Sequence, residues 1–335
     1  MAALGVERVP VQLFGLGLLG FDHLQIVFDT GDDEDGWFVL EGLREQQGGE
    51  TYLAVEGRNG GTTLSDANGG LAGEALAERI GTSASRGAQW IASGTEAVSL
   101  WADFVALAAD IEDQRLPYIP ASLHGSPLPT INSSSLVASL LHHAGVAVEP
   151  ALPSGLRFSP GLSTLIGTSH DDTLVAGHGF TSLLGGPGDD LLIGRDEIGT
   201  VDKLYGGNGN DTFRWSPGTN IIHGGQPGLP YASDGLDTVD YSGAGDIFIE
   251  ALNNSAPHLK PDFIVTHKNG RDQLFSIEEI AWDDAIDRVT VGDGVGLVDR
   301  FPKTAGGGDD LPNAHAADFE HSFPAESSLD APAGG

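Results

Sequence analysis

Over residues 6–57, short runs of aliphatic, aromatic and β-branched residues alternate with acidic and glycine-rich turns. "DHLQIVFDT", "GWFVLEG" and "TYLAVEG" have the length and composition of strands, and "GDDEDG" reads as a turn between two of them. Residues 58–92 lose that pattern and become rich in glycine and serine, with one short helical candidate near 74–80. Apolar positions then move to helical spacing. Ala97, Leu100, Trp101, Phe104, Val105, Ala108 and Ile111 mark a helix over 95–114, with Ser93 or Thr95 as its cap. A proline-rich loop, "LPYIPASLHGSPLP", leads to a second helix at about 133–144. Strands followed by helices predict an α+β domain over residues 1–160.

Beyond 165 the period changes again. Leu174, Leu183 and Leu192 stand nine residues apart, as do Leu204, Phe213 and Ile222, and a three-residue insertion within "RDEIGTVDK" separates the two sets. Residues 185–193 and 206–214 fit G-G-x-G-x-D-x-U-x at every specified position, where U is a large apolar residue. Each unit reads as half of a coil: a glycine-rich bend, then a short strand whose apolar residue points inward. Glycine permits the positive φ angles and close backbone approach of such bends. Residues 161–245 are therefore expected to form an all-β parallel β-roll, and the strand-forming segment 246–300 a β-rich cap. The composition of residues 301–335 is that of a disordered acidic tail.

Composition narrows the function. Formal net charge is -32, from 48 acidic against 16 basic residues. Such a chain lacks the basic patches that bind nucleic acid or an anionic membrane surface. Cysteine is absent, which removes thiolate chemistry and disulfides, while 49 glycines are about twice the usual share of ~7%. No apolar run approaches the ~20 residues of a membrane-spanning helix. "RVPVQLFGLGLLGF" is apolar, but only Arg8 lies near it and no small-residue cleavage site follows, so no cleaved N-terminal signal is expected, and if the protein is exported it leaves without one.

A strongly acidic chain can collect cations, and the repeat supplies the oxygens. Aspartate at its sixth position and bare carbonyls at its bends are hard ligands suited to Ca²⁺. Because two half-coils make one coil, alternate repeats share an edge. One edge carries Asp172, Asp190, Asp211 and Asp237 at the sixth position, and the other carries Thr181, Asp202 and Asn220. Two or three calcium ions are expected along the first edge and few or none along the second. The main site is placed between 185–190 and 206–211, with a neighbour between 167–172 and 185–190. The candidate ligands are Gly167, Ser169 and Asp172; Gly185, Pro187 and Asp190; Gly206, Asn208 and Asp211; and Asp237. Asp293, Asp309 and Asp310, in the isolated "VGDGVG" and "GGGDD", read as solvated turn residues.

The repeats resemble those of RTX (haemolysin-type) proteins of Gram-negative bacteria. The resemblance covers about 165–285, including a closing segment, "DTVDYSGAGDIFIEAL" followed by "DQLFSIEEIAW". It implies export by type I secretion machinery, an extracellular location, and folding on meeting calcium outside the cell. A second resemblance covers residues 18–165, which look like a permuted papain-like (NlpC/P60-type) domain found ahead of RTX repeats. It implies a hydrolase of peptide or amide bonds in which His23 takes the base position and Ser133 the nucleophile position, with Asn132 before it. Serine stands where the family has cysteine. The other reading is that Asn132 and Ser133 cap the helix and His23 is a polar residue on a half-buried strand. His142 and His143, adjacent on a helix, point about 100° apart and read as a surface pair. Trp90 and Trp101 are expected in the first core.

Overall fold

The computed structural model describes residues 1–11, 21–31, 37–47, 50–59, 62–63, 88–121, 128–156, 159–177, 179–227, 235–252, 261–283, 286–291 and 313–315. The helical candidate at 74–80 and Asp293, Asp309 and Asp310 lie outside them. The described chain is mostly β, with parallel sheets and few helices.

The predicted N-terminal strands form one antiparallel sheet. It contains β1 (Ala3–Val11), β2 (Phe21–Asp29), β3 (Trp37–Gln47), β4 (Glu50–Asn59), β5 (Thr62–Thr63) and β6 (Gln89–Ser93), in the order β5-β4-β3-β2-β1-β6. Side chains alternate across it. Leu24, Ile26, Phe28 and Leu40 enter a core with the helices, while Gln25, Val27, Val39 and Glu41 fall on the opposite face, which is also buried.

Helix α1 (Gly94–Asp113) buries Ala97, Phe104, Ala108 and Ile111, the stripe read from its spacing. Ser93 stands at its N-cap but makes no side-chain cap bond. Trp101 stacks on Phe28 at 5.3 Å, whereas Trp90 is 43% exposed and does not join the core. Helix α2 (Ser133–His143) is buried from Ser133 to Leu141. A short α3 (Val148–Ala151) follows.

The second half winds between two sheets. Strands β7 (Thr164–Ile166), β9 (Ser182–Pro187), β11 (Val201–Asn208), β13 (Thr219–His223) and β17 (Gly270–Phe275) pair in parallel in one. Strands β8 (Thr173–Val175), β10 (Leu191–Ile193), β12 (Thr212–Arg214), β14 (Thr238–Asp240) and β18 (Glu279–Ala281) do so in the other. Register aligns Leu165, Leu183, Leu204, Ile222 and Leu274 in one row, and Leu174, Leu192, Phe213, Val239 and Ile280 in the other; the two rows share one core. The nine-residue step of the sequence is thus the step from one sheet to the other.

Ile166, Leu184 and Tyr205 follow the inward residues of β7, β9 and β11, so they point outward, and there they join the core of the N-terminal helices. Helix α2 packs on β2 and β3 on one side and on β7 on the other, which explains its burial all round. The core therefore crosses residue 160, and β9 reads "SLLGGP" rather than alternating because both its faces are covered.

Two C-terminal expectations change. Segment 246–300 does more than cap the stack: β15 (Asp246–Ala251) and β16 (Phe263–His267) lead back into β17 and β18, which add a fifth coil, while β19 (Arg288–Val291) pairs with β15. Within the tail, β20 (Asn313–His315) pairs antiparallel with β18. The outer edge of β18 presents unpaired backbone groups that a passing strand can satisfy.

Candidate metal site along one edge of the parallel sheets

The bends that join the first sheet to the second lie on one edge, and the register stacks equivalent positions there. Gly167, Gly185, Gly206, Gly224 and Ser276 form one column; Asp172, Asp190, Asp211, Asp237 and Glu278 form another. Each backbone N–H of the acidic column donates to the carboxylate of the next coil. Asp172 donates to Asp190 Oδ1 at 2.7 Å, Asp190 to Asp211 Oδ1 at 3.0 Å, Asp211 to Asp237 Oδ1 at 3.0 Å, and Asp237 to Glu278 Oε2 at 3.0 Å. One carboxylate oxygen per coil is therefore spent on holding the stack together.

The other oxygen is where an ion fits. Oδ2 of Asp190 and Oδ2 of Asp211 are buried without a hydrogen-bond partner. Each faces the glycine of its own coil and the carbonyl of the next. A Cβ on Gly185 would stand 2.2 Å from Asp190 Oδ2 and 2.6 Å from Gly206 O; on Gly206, 2.0 Å from Asp211 Oδ2 and 2.5 Å from Gly224 O. Glycine is required at both places because any side chain would fill the cradle. A buried carboxylate oxygen without a donor costs several kcal/mol unless a proton or cation meets it.

Electrostatics agrees. Neighbouring strands lie about 4.8 Å apart, and two unit charges at that spacing repel by about 3.5 kcal/mol at an effective dielectric of about 20. Burial, reinforced by the neighbouring aspartates, pushes Asp190 up to about 7 and Asp211 up to about 8, although backbone donors oppose it. Among the described residues, no group of three or more histidine, aspartate or glutamate side chains could hold a metal ion together. An ion in these cradles would take one carboxylate per coil and draw its remaining ligands from backbone carbonyls, which is hard-oxygen chemistry suited to Ca²⁺.

A pH dependence follows for the ion-free protein. Both folded-state values are raised above the ordinary 3.8, so the folded state holds protons that the unfolded chain releases. That contribution to stability is fully present below about 4 and is lost as pH rises through about 7 and 8. Thermal melts in a chelator should therefore show stability falling between pH 5 and pH 8, roughly, and saturating calcium should remove that slope. A flat profile in the chelator would show that the two carboxyls titrate normally.

The remaining predicted ligands are divided. Asn208 and Pro187 are in register, and Asn208 O accepts the Gly188 N–H at 2.9 Å. Gly167 O accepts from Gln114 Nε2 at 2.9 Å. Ser169 turns away from the ladder, its N–H and hydroxyl both donating to Asp110 of α1. Asp172 Oδ2 accepts the Thr168 N–H at 2.6 Å and the Thr168 hydroxyl at 2.9 Å. The first cradle, expected to be the neighbouring ion site, is thus closed by the protein itself.

The opposite edge also satisfies itself. Both oxygens of Asp202 accept from Arg195, at 2.8 Å each, and the guanidinium supplies the positive charge. Asp272 Oδ1 accepts the Asn220 backbone N–H at 2.7 Å and side-chain amide at 3.0 Å, and Oδ2 accepts the Tyr241 hydroxyl at 2.9 Å.

Sequence reasoning missed three members of the edge that carries the acidic column. Gly224 follows Gly206 by 18 residues, the interval from Gly167 to Gly185, so its spacing was there to find. Ser276 and Glu278 carry no glycine signature; Ser276 takes the bend with φ 52°.

His23 and Ser133 do not meet. A Cβ on Gly42 would lie 3.1 Å from Ser133 Cα, so that face of β3 looks at α2. Glu41, one residue earlier, faces the other way, and His23 Nε2 is 2.9 Å from its carboxylate. The pair lies on opposite faces of the sheet with no hydrogen bond between them. Asn132 is instead a helix cap. Its side-chain oxygen accepts from Ser134 N at 2.8 Å and Ser135 N at 3.3 Å, Ser135 Oγ accepts from Asn132 N at 2.8 Å, and the Asn132 amide donates to Pro120 O and Pro160 O. His143 Nε2 lies 2.7 Å from Ile166 O and His142 meets Phe180 edge-on, so neither serves as half of a metal pair.

Comparison of the chain with protein-family models, with curated proteins and with solved structures finds no match.

Proposed function

We propose that this is a secreted calcium-binding protein whose two parallel sheets form an RTX-type β-roll that completes its folding on calcium after export. The observation that carries this reading is the pair of buried, unpartnered oxygens, Asp190 Oδ2 and Asp211 Oδ2, each facing a glycine carbonyl of the next coil. The proposed number is two or three ions along this edge, with Asp190 and Asp211 supplying carboxylates to the main sites. The ion would supply the positive charge that lets stacked carboxylates stay ionised, so binding and folding are coupled. Export by type I secretion machinery is part of the proposal. It rests on the resemblance of 185–193 and 206–214 to RTX repeats, and the acidic, cysteine-free composition accords with it. No observation favours the hydrolase reading, since His23 and Ser133 lie apart.

Calcium titration of chelated protein tests the reading. Calorimetry is expected to count two or three ions per chain, and far-UV circular dichroism to gain sheet signal over the same range. A spectrum and thermal stability indifferent to calcium would overturn it.

A further inference from the structure

The first coil differs from those that follow. Strand β7 ends its sheet, and along its outer side the turn before it takes the Thr164 N–H while the N-terminal helices meet the groups that follow. The Ile166 N–H donates to Ser139 Oγ of α2 at 2.9 Å, Ile166 O lies 2.7 Å from His143 Nε2, and Gly167 O accepts from Gln114 at 2.9 Å. Beyond the bend, Ser169 is held by Asp110. Asp172, the first carboxylate of the ladder, has two donors from Thr168 where Asp190 and Asp211 have an oxygen without one.

We propose that Thr168 and the helical layer do for the first coil what an ion does for the later ones, so that this coil forms without metal and serves as the template on which the calcium-dependent coils assemble. This rests on the calcium reading and goes beyond it by giving assembly a direction, from β7 towards β17. It also gives the N-terminal half a role in the calcium response, since its fold presents the template. The physical basis is that a preformed edge removes the nucleation cost of the first coil, after which each added coil gains a row of backbone bonds and a row of core contacts.

Residue-resolved hydrogen exchange on the full chain, with chelator and with calcium, tests it. In chelator the amides of Ile166 and Thr168 should be protected about 100-fold more than those of Asp190, Asp211 and Gly207, and calcium should narrow that gap to about tenfold or less. Two variants extend the test. Asp110→Ala with Gln114→Ala loosens the clamp, and Thr168→Val removes one donor without touching the helices. Each should raise the calcium midpoint for sheet formation by about threefold or more. The Ile26 amide reports whether the N-terminal sheet stays folded in each variant. Equal exchange of Thr168 and Asp211 in chelator, with calcium protecting both, would overturn the template while leaving calcium binding intact. Amides of Asp190 and Asp211 indifferent to calcium would remove the calcium reading, and the template with it.

Discussion

Asp211→Asn is expected to leave the ion-free protein as stable as the parent, or more stable, at pH 8 and to cancel one site's share of what calcium adds. The asparagine keeps an oxygen to accept the Asp190 N–H, so the rung that links the coils survives. It removes a buried charge whose ionisation the fold resists, since burial pushes this carboxyl up to about 8. What it cannot do is neutralise a cation. Each site that binds only the folded state adds about 2.7 kcal/mol at an ion concentration about a hundred times Kd. Asp211 spends one oxygen on the Asp190 N–H and turns the other to a single cradle, so the variant should lose about 2.7 kcal/mol of calcium-dependent stability. In a chain of this size that corresponds to about 5 °C in Tm. Melts of parent and variant with and without calcium check it. An equal calcium-induced rise in both would show that Asp211 holds no ion.

Gly207→Ala should be among the most damaging single methyls that can be added to the described part of the stack. Gly207 has φ +124°, a conformation other residues resist, and an added Cβ would lie 2.0 Å from Gly186 O and 2.8 Å from Gly186 C. Both atoms are backbone of the adjoining coil, so no side-chain rotation relieves the contact. Strain of about 1–3 kcal/mol for the backbone and about 1–3 kcal/mol for overpacking add to a loss of several kcal/mol. Gly199 provides the control, with φ +85° and nothing within 4 Å of an added Cβ. Gly199→Ala carries only the backbone cost. Melts in saturating calcium should therefore rank Gly207→Ala well below Gly199→Ala, and equal losses would show that the coils are not packed as closely as the register requires.

Some of the molecule is written in local pattern. The β2, β3 and β4 segments and the two main helices follow from period and propensity, because each buries a face whose spacing is set by its own backbone geometry. The nine-residue step fixed the alternation between two sheets, the inward row of Leu183, Leu192, Leu204 and Phe213, and the column of acids from Asp172 to Asp237. In all of these, successive members lie within 26 positions of one another. A recurring interval carries them because each coil must return to the same place, and the insertions lie between strands without shifting the register.

Tertiary structure decided what lies across the chain. Sequence could align His23 with Ser133, but only strand alternation and the seat of α2 over Gly42 put them on opposite sides of a sheet. Sequence made Asp172, Asp190 and Asp211 equivalent, yet the structure distinguishes them. Thr168 reaches Asp172 in its own bend, while Oδ2 of Asp190 and of Asp211 faces a glycine without a side chain and a carbonyl oxygen, and no donor meets it. Ser276 and Glu278 join the ladder through the pairing of β17 with β13 and β18 with β14, 50 residues and more away in part, with no motif to announce them. The common reason is that a carboxylate's charge state depends on which donors surround it and how much water is left. Those are set by packing between distant segments rather than by the residue's place in a repeat.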